Sequence, residues 1–84
     1  MNEVIHDQLN DIQNLCDAVN TARWDCGGII LQMIVRLGKN RRDAAKDAGV
    51  SAKRLNLMIK GDCKIPLNEY LMAANSLNAK MELQ

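Results

Sequence analysis

Aromatic side chains are nearly missing from this sequence of 84 residues, which has Trp24 and Tyr70 but no phenylalanine. A core without phenylalanine must be built from Leu, Ile, Val, Met and Ala, which favours packed helices over a sheet. Single-strand nucleic-acid binders need aromatic platforms on which bases stack, so the composition argues against that class. The length allows one domain.

Histidine, cysteine pairs and long apolar runs are scarce as well. One histidine, His6, and three cysteines without a CxxC pair provide no zinc set, and no catalytic constellation or phosphate-binding glycine loop is present. We therefore expect neither an enzyme nor a cofactor. The longest apolar run is too short to span a bilayer, and acidic residues near the N-terminus argue against a signal peptide, so a cytoplasmic protein with reduced thiols is expected. Cys16 and Cys26 are predicted in the core and Cys63 in an exposed loop.

Charge is present but unevenly distributed along the chain. Residues 1–35 carry five acidic side chains against one arginine, a net charge of −4. Residues 36–64 carry nine basic side chains against three acidic ones, a net charge of +6, and the remainder carries −1. A cationic block inside a chain of net charge +1 is a candidate binding surface for a polyanion, although lysine and arginine also commonly solvate helices.

Apolar spacing and capping residues predict five helices, at about 2–19, 26–37, 41–48, 51–60 and 66–77. Asp25 is the predicted N-cap of the second helix, and Gly38 its end. Gly27 and Gly28 then stand at a helix start, where they allow close packing against the first helix. The last residues, 79–84, alternate between apolar and polar side chains, so a short strand is possible there. The domain is thus read as one unit over 1–84, with an extra N-terminal helix (1–20) and a closing helix and tail (66–84).

Residues 40–61 have the pattern of a helix-turn-helix, two short helices separated by Gly49, Val50 and Ser51. Gly49 can adopt the positive φ of a sharp turn. Asn40 and Ser51 are good N-caps, and the amides at the start of the second helix can bind a phosphate.

This segment, Asn-Arg-Arg-Asp-Ala-Ala-Lys-Asp-Ala-Gly-Val-Ser continuing to Gly61, resembles the helix-turn-helix of the Cro and phage-repressor (XRE-like) family. The resemblance spans about 26–78 and extends to short phage activators. It implies an all-α, lambda-repressor-like five-helix bundle that binds operator DNA. In the second helix of the motif, Lys53 or Arg54 would donate to guanine, Asn56 would contact adenine or backbone, and Leu57 a thymine methyl. Lys60 would lie on the same outward face of this helix. Phosphate contacts would come from Lys39, Arg41, Arg42 and Lys64 and from the helix start at Ser51, and Asn40 completes the set of candidate DNA-binding residues.

The resemblance implies a transcriptional regulator of phage or mobile-element type, a Cro-like repressor or a short activator, acting as a homodimer on paired half-sites. Three surfaces are candidates for the dimer contact: the tail at 81–83, the N-terminal helix and the closing helix. We expect the N-terminal helix to pack its stripe of Ile5, Leu9, Ile12, Cys16 and Val19 on the central helix. The alternative is an antitoxin-like or anti-regulator protein whose N-terminal helix or tail binds a partner protein.

Overall fold

Four α-helices make up the part of the chain that the structure describes. The computed structural model describes the backbone of residues 2–83 and the side chains of residues 8–83. The helices are α1 (Asn2–Leu37), α2 (Arg41–Ala48), α3 (Ala52–Ile59) and α4 (Leu67–Glu82), with no strand in the described backbone. The all-α prediction is confirmed, whereas the bundle of five helices is not found. None of the described helices has both the length and the apolarity needed to cross a bilayer.

The two helices predicted at 2–19 and 26–37 are one continuous helix, α1, of 36 residues. Asp25 lies inside it and is not an N-cap, because nothing between residues 20 and 25 breaks a helix: that stretch lacks both proline and glycine. The helix ends where predicted, at Gly38, which has φ 68° and donates its amide to the carbonyls of Ile34 and Val35.

The glycine pair sits in the interior of α1 and has a different packing partner from the one expected. A Cβ added to Gly27 would stand 2.4 Å from the carbonyl oxygen of Met58, so the bare backbone allows α3 to lie directly on α1. Gly28 is exposed, with nothing within 4 Å of an added Cβ. The glycines therefore do not open a helix, and Gly27 packs against α3, not against an N-terminal helix.

The tail continues α4 through Glu82 and does not form the strand considered for 79–84. Ala, Lys, Met and Glu are good helix formers, and no glycine or proline follows Leu77, so the helix has no reason to stop there. Asn78 Nδ2 donates to Glu82 Oε1 one turn later, at 3.2 Å. Residues 81–83 therefore form no strand that could pair with a second copy in this structure.

The core lies between the C-terminal half of α1 and the three shorter helices. Its largest fully buried side chains are Tyr70, Ile30, Leu55, Met58 and Leu77. Cys26 is buried and Cys63 is exposed, as predicted, while Cys16 is exposed and its predicted core position is wrong.

The N-terminal half of α1 extends beyond this core. Leu9, Ile12 and Leu15 are 59%, 58% and 65% exposed, and the protein measures 57 Å along its longest axis. The expectation that this stretch packs on the central helix is wrong, because packing would require a turn between residues 19 and 26, and α1 has none. Ile5 and His6 lie outside the described side chains.

Candidate nucleic-acid interface

The two short helices α2 and α3 form at the predicted positions and are capped as predicted. Asn40 Oδ1 accepts from the amide of Asp43 at 2.8 Å, and Ser51 Oγ accepts from the amide of Arg54 at 3.1 Å. Gly49 adopts the left-handed conformation, with φ 76°, and the amide of Val50 then reaches the carbonyl of Ala45 at 3.0 Å. These bonds satisfy helix-end groups and define the turn between α2 and α3.

Small and apolar side chains hold this pair of helices against the rest of the protein. Ala44, Ala45 and Ala48 are buried on α2, and Leu55 and Met58 have no exposed surface on α3. Alanine at these positions lets α2 pack closely against both α3 and α4. The pair is therefore a rigid unit, with one face committed to the core.

The opposite face of α3 is polar and exposed. Lys53, Asn56 and Lys60 are all exposed, and at about 100° per residue they fall within about 60° of arc. Lys53 forms no ion pair with any side chain that the structure describes. We call these three residues the α3 face.

A side-chain hydrogen bond connects the α3 face to the start of α2. Arg41 Nη1 donates to Asn56 Oδ1 at 3.3 Å, and both side chains are exposed. Arg42 is exposed next to Arg41, in the first turn of the same helix. The guanidinium group of Arg41 thus lies beside the α3 face, where it adds positive charge and hydrogen-bond donors.

Arg54, Leu57 and Lys39, three further predicted site residues, are also engaged within the protein. Arg54 is half-buried and forms an ion pair with Glu69 of α4, its Nε lying 3.1 Å from Oε2. Leu57 is half-buried and packs against the core, and Lys39 forms an ion pair with Asp47. Arg54 and Leu57 therefore flank the α3 face at its margins and do not lie on it.

The loop after α3 carries the last candidate, Lys64, and is anchored by Tyr70. The hydroxyl of Tyr70 donates to the backbone oxygen of Asp62 at 2.6 Å, while Asp62 Oδ1 accepts from the amide of Lys64 at 2.7 Å. Burial, and then the nearby charge of Asp62, raise the pKa of Tyr70 above its ordinary value. Lys64 is exposed on a loop whose backbone is fixed from both sides.

Sequence reasoning missed the residues that support the site from α4. Glu69 and Tyr70 lie 15 and 8 residues along the chain from their partners Arg54 and Asp62, and no local pattern links residues so far apart. The sequence offers only a weaker signal for Glu69, which is an acidic residue in the first turn of a helix whose other face is apolar.

Comparison of this chain with models of known protein families, with curated proteins and with solved structures finds no match in any of the three. The resemblance to Cro and phage-repressor proteins therefore depends on the residues quoted above. The geometry of the α2–α3 unit has to be judged on its own chemistry.

Proposed function

We propose that the protein is a sequence-specific regulator of transcription that binds double-stranded DNA as a homodimer, in the manner of a Cro-like repressor or a short phage activator. The observation that carries this proposal is the exposed α3 face on a rigid, capped helix pair. A helix of this kind fits the major groove, where each base pair presents a distinct pattern of donors and acceptors.

Charge supports DNA as the ligand of this face. The +6 block of residues 36–64 includes α2, α3 and both flanking loops. Arg41, Arg42 and Lys64 are exposed, and Arg41 is hydrogen-bonded to Asn56 of the α3 face; all three are candidates for phosphate contacts. Phosphate contacts give affinity and orientation, and the α3 face then reads bases.

The side chains on the α3 face suggest which bases are read. Lys53 can donate to the acceptors of guanine. The amide of Asn56 can bind adenine while its oxygen keeps the bond from Arg41, since that oxygen has two lone pairs. Arg54, which is paired with Glu69, is a poorer reader than Lys53, because contact with a base would first require breaking that ion pair.

The proposal is tested by fluorescence anisotropy with a duplex selected from a random-sequence library, between 50 and 200 mM salt. A dimer making six to ten phosphate contacts loses roughly 10³- to 10⁵-fold in affinity over this range. Binding that does not depend on salt, or no binding to any duplex, would refute the proposal. Preference for the separated single strand would refute it equally.

Two substitutions separate positioning from base reading. Arg41→Ala removes one phosphate contact per subunit, so affinity should fall on all duplexes and the salt slope should decrease by about 2 in a dimer. Lys53→Ala should reduce the preference for the selected duplex over a scrambled one by about tenfold or more. Lys80→Ala, which removes an exposed charge from the last turn of α4, is the matched control and should change neither quantity.

An antitoxin-like or anti-regulator protein is the second candidate, favoured by the exposed apolar residues on the N-terminal half of α1. Such a protein would bind a different protein through this helix. The two candidates differ in their response to a substitution at Lys53, which abolishes function in a DNA-binding regulator and leaves a protein that only captures a partner unaffected.

A further inference from the structure

One face of α1 carries apolar residues at alternating spacings of three and four along nearly its whole length. Near the C-terminal end this face is covered: Cys26, Ile30 and Leu37 are 8%, 0% and 8% exposed. The same spacing continues towards the N-terminus through four residues that we call the N-terminal stripe, Leu9, Ile12, Cys16 and Val19. Leu9 and Ile12 are more than half exposed, and no described residue of the chain lies over them.

Apolar residues at this spacing form the contact seam of paired helices. The seam positions of α1 thus have two different environments. From Arg23 onward they pack against α3 and α4, whereas before Arg23, Val19 is half-buried and Cys16, Ile12 and Leu9 are exposed. Arg23 marks the boundary, since its Nε donates to the backbone oxygen of Ile65 at 2.8 Å. A second helix laid on the N-terminal stripe would continue the packing that the protein's own helices begin.

The charges of this half-helix lie away from the stripe. Asp11 and Asp17 are placed about 120° round the helix from its midline. The positions that flank the stripe are occupied by uncharged residues, Gln8, Gln13, Leu15 and Asn20. Flanking charges normally select a partner of opposite sign, and their absence removes repulsion between identical copies of an acidic helix.

We infer that the N-terminal stripe is covered by the same stripe of a second copy of this chain, with the two α1 helices antiparallel. A parallel arrangement is opposed by the fold: from Arg23 onward each α1 carries its own α3 and α4 on the seam face, and both sets would need the space between the helices. In the antiparallel arrangement the two sets of α3 and α4 lie at opposite ends of the helix pair, so they do not compete for the space between the two stripes.

The antiparallel register that uses all four residues sets Leu9 against Val19 of the second copy and Ile12 against Cys16 of the second copy. This interface is the same patch on both subunits, as a two-fold dimer requires. The inference supplies the dimer contact of the proposed function, and it rests on that proposal only in taking the protein to be a homodimer. Its tests are carried out without DNA. A negative result here therefore does not refute DNA binding, and a negative DNA-binding result does not refute the dimer.

The first test is the mass of the full chain by sedimentation equilibrium at micromolar concentration. We expect a dimer, and Ile12→Asp should weaken it by about a hundredfold or more, because one buried isoleucine is lost from each chain. Ala18→Asp adds the same charge to the same half-helix away from the stripe and should leave the dimer intact. A monomeric chain, or a dimer unaffected by Ile12→Asp, would overturn the inference.

The second test fixes the orientation by cross-linking with diamide, which takes up the two thiol hydrogens as a disulfide forms. Cys63→Ser is the background, because Cys63 is exposed whereas Cys26 is buried. In this background Cys16 faces Ile12 of the second copy and should give no covalent dimer. Adding Ile12→Cys should then produce one, since disulfides need Cα atoms about 4.4–6.8 Å apart. Efficient cross-linking of Cys16 alone would indicate parallel helices and would overturn the antiparallel arrangement.

Discussion

Replacing Gly27 by alanine should destabilise the protein, although alanine is the better helix former. The new Cβ would lie 2.4 Å from the carbonyl oxygen of Met58 and 3.1 Å from that of Ile59. Both oxygens belong to the backbone, so no side-chain rotation relieves the contact, and α3 must move away from α1. Overpacking of this kind costs about 1–3 kcal/mol, and the upper end applies to a backbone clash. Helix propensity returns about 1 kcal/mol, which leaves a net loss of about 2 kcal/mol.

Gly28→Ala is the matched control, one residue along the same helix. No atom lies within 4 Å of the added Cβ, so only the propensity gain remains, and the protein should be stabilised by about 0.5–1 kcal/mol. The assay is thermal unfolding followed by circular dichroism at one protein concentration, because a dimer makes Tm depend on concentration.

In a domain of this size 1 kcal/mol shifts Tm by about 4–8 °C, so Gly27→Ala should melt about 8–16 °C lower and Gly28→Ala a few degrees higher. If both variants were stabilised, α3 would not lie on α1 at Gly27. If both were destabilised, the helix would not be continuous at this point, and the reasoning would fail there.

Two further predictions concern the supports of the site. Arg54→Ala should cost no more than about 1 kcal/mol in urea unfolding, because both side chains of its ion pair with Glu69 are partly exposed to solvent. It should leave DNA affinity nearly unchanged, and a large loss of affinity would indicate that Arg54 contacts bases. Burial, and then the charge of Asp62, raise the pKa of Tyr70 above its usual value, so the folded protein keeps the phenolic proton after the unfolded chain has lost it. The associated stability is complete below pH of about 10 and is lost as pH rises through the folded pKa. The free energy of unfolding of Tyr70→Phe should therefore be about 1 kcal/mol lower than that of the unsubstituted protein at pH 7, because the hydrogen bond is lost. Between pH 9 and 11 the variant should lose less stability than the unsubstituted protein. Part of the alkaline loss should remain, because burial also raises the pKa of Cys26. Equal alkaline slopes for both proteins would contradict this account.

The parts of the fold that sequence analysis predicted well are those specified by local chemistry. Asn40, Gly49 and Ser51 act within a few residues of their own position, through a cap or a positive φ, and both ends of α2 and the start of α3 follow from them. The exposed positions of Lys53 and Asn56 likewise follow from the apolar spacing of Leu55 and Met58, which sets the buried side of α3.

The remaining errors have two sources. The helix boundary expected near Gly27 is wrong because no residue between 20 and 25 breaks a helix, a local signal that outweighs the glycine pair. The partner of Gly27, Met58 of α3, is far away in sequence and could not be read from a local pattern. The apolar spacing at residues 9–19 correctly indicates a face that requires a partner. It does not say whether the partner is the same chain, so packing on the central helix was a reasonable but wrong expectation.

The inferred antiparallel pairing and the proposed DNA-binding face are geometrically compatible. Gly27 and Trp24, which contact the end of α3 and Gly61 just beyond it, lie to the same side of the stripe, about 40° and 100° round α1 from its midline. A two-fold axis perpendicular to both helices preserves that side, so the two α3 helices emerge on one side of the dimer. The register places the axis midway between residues 12 and 16, so the two Gly27 positions lie about 39 Å apart along the helices at 1.5 Å per residue. Half-sites one turn of DNA apart are separated by about 34–36 Å. A selected operator should accordingly be a palindrome with half-sites about one helical turn apart. If half-sites at any spacing bound equally well, the antiparallel dimer would be refuted while the DNA-binding proposal would stand.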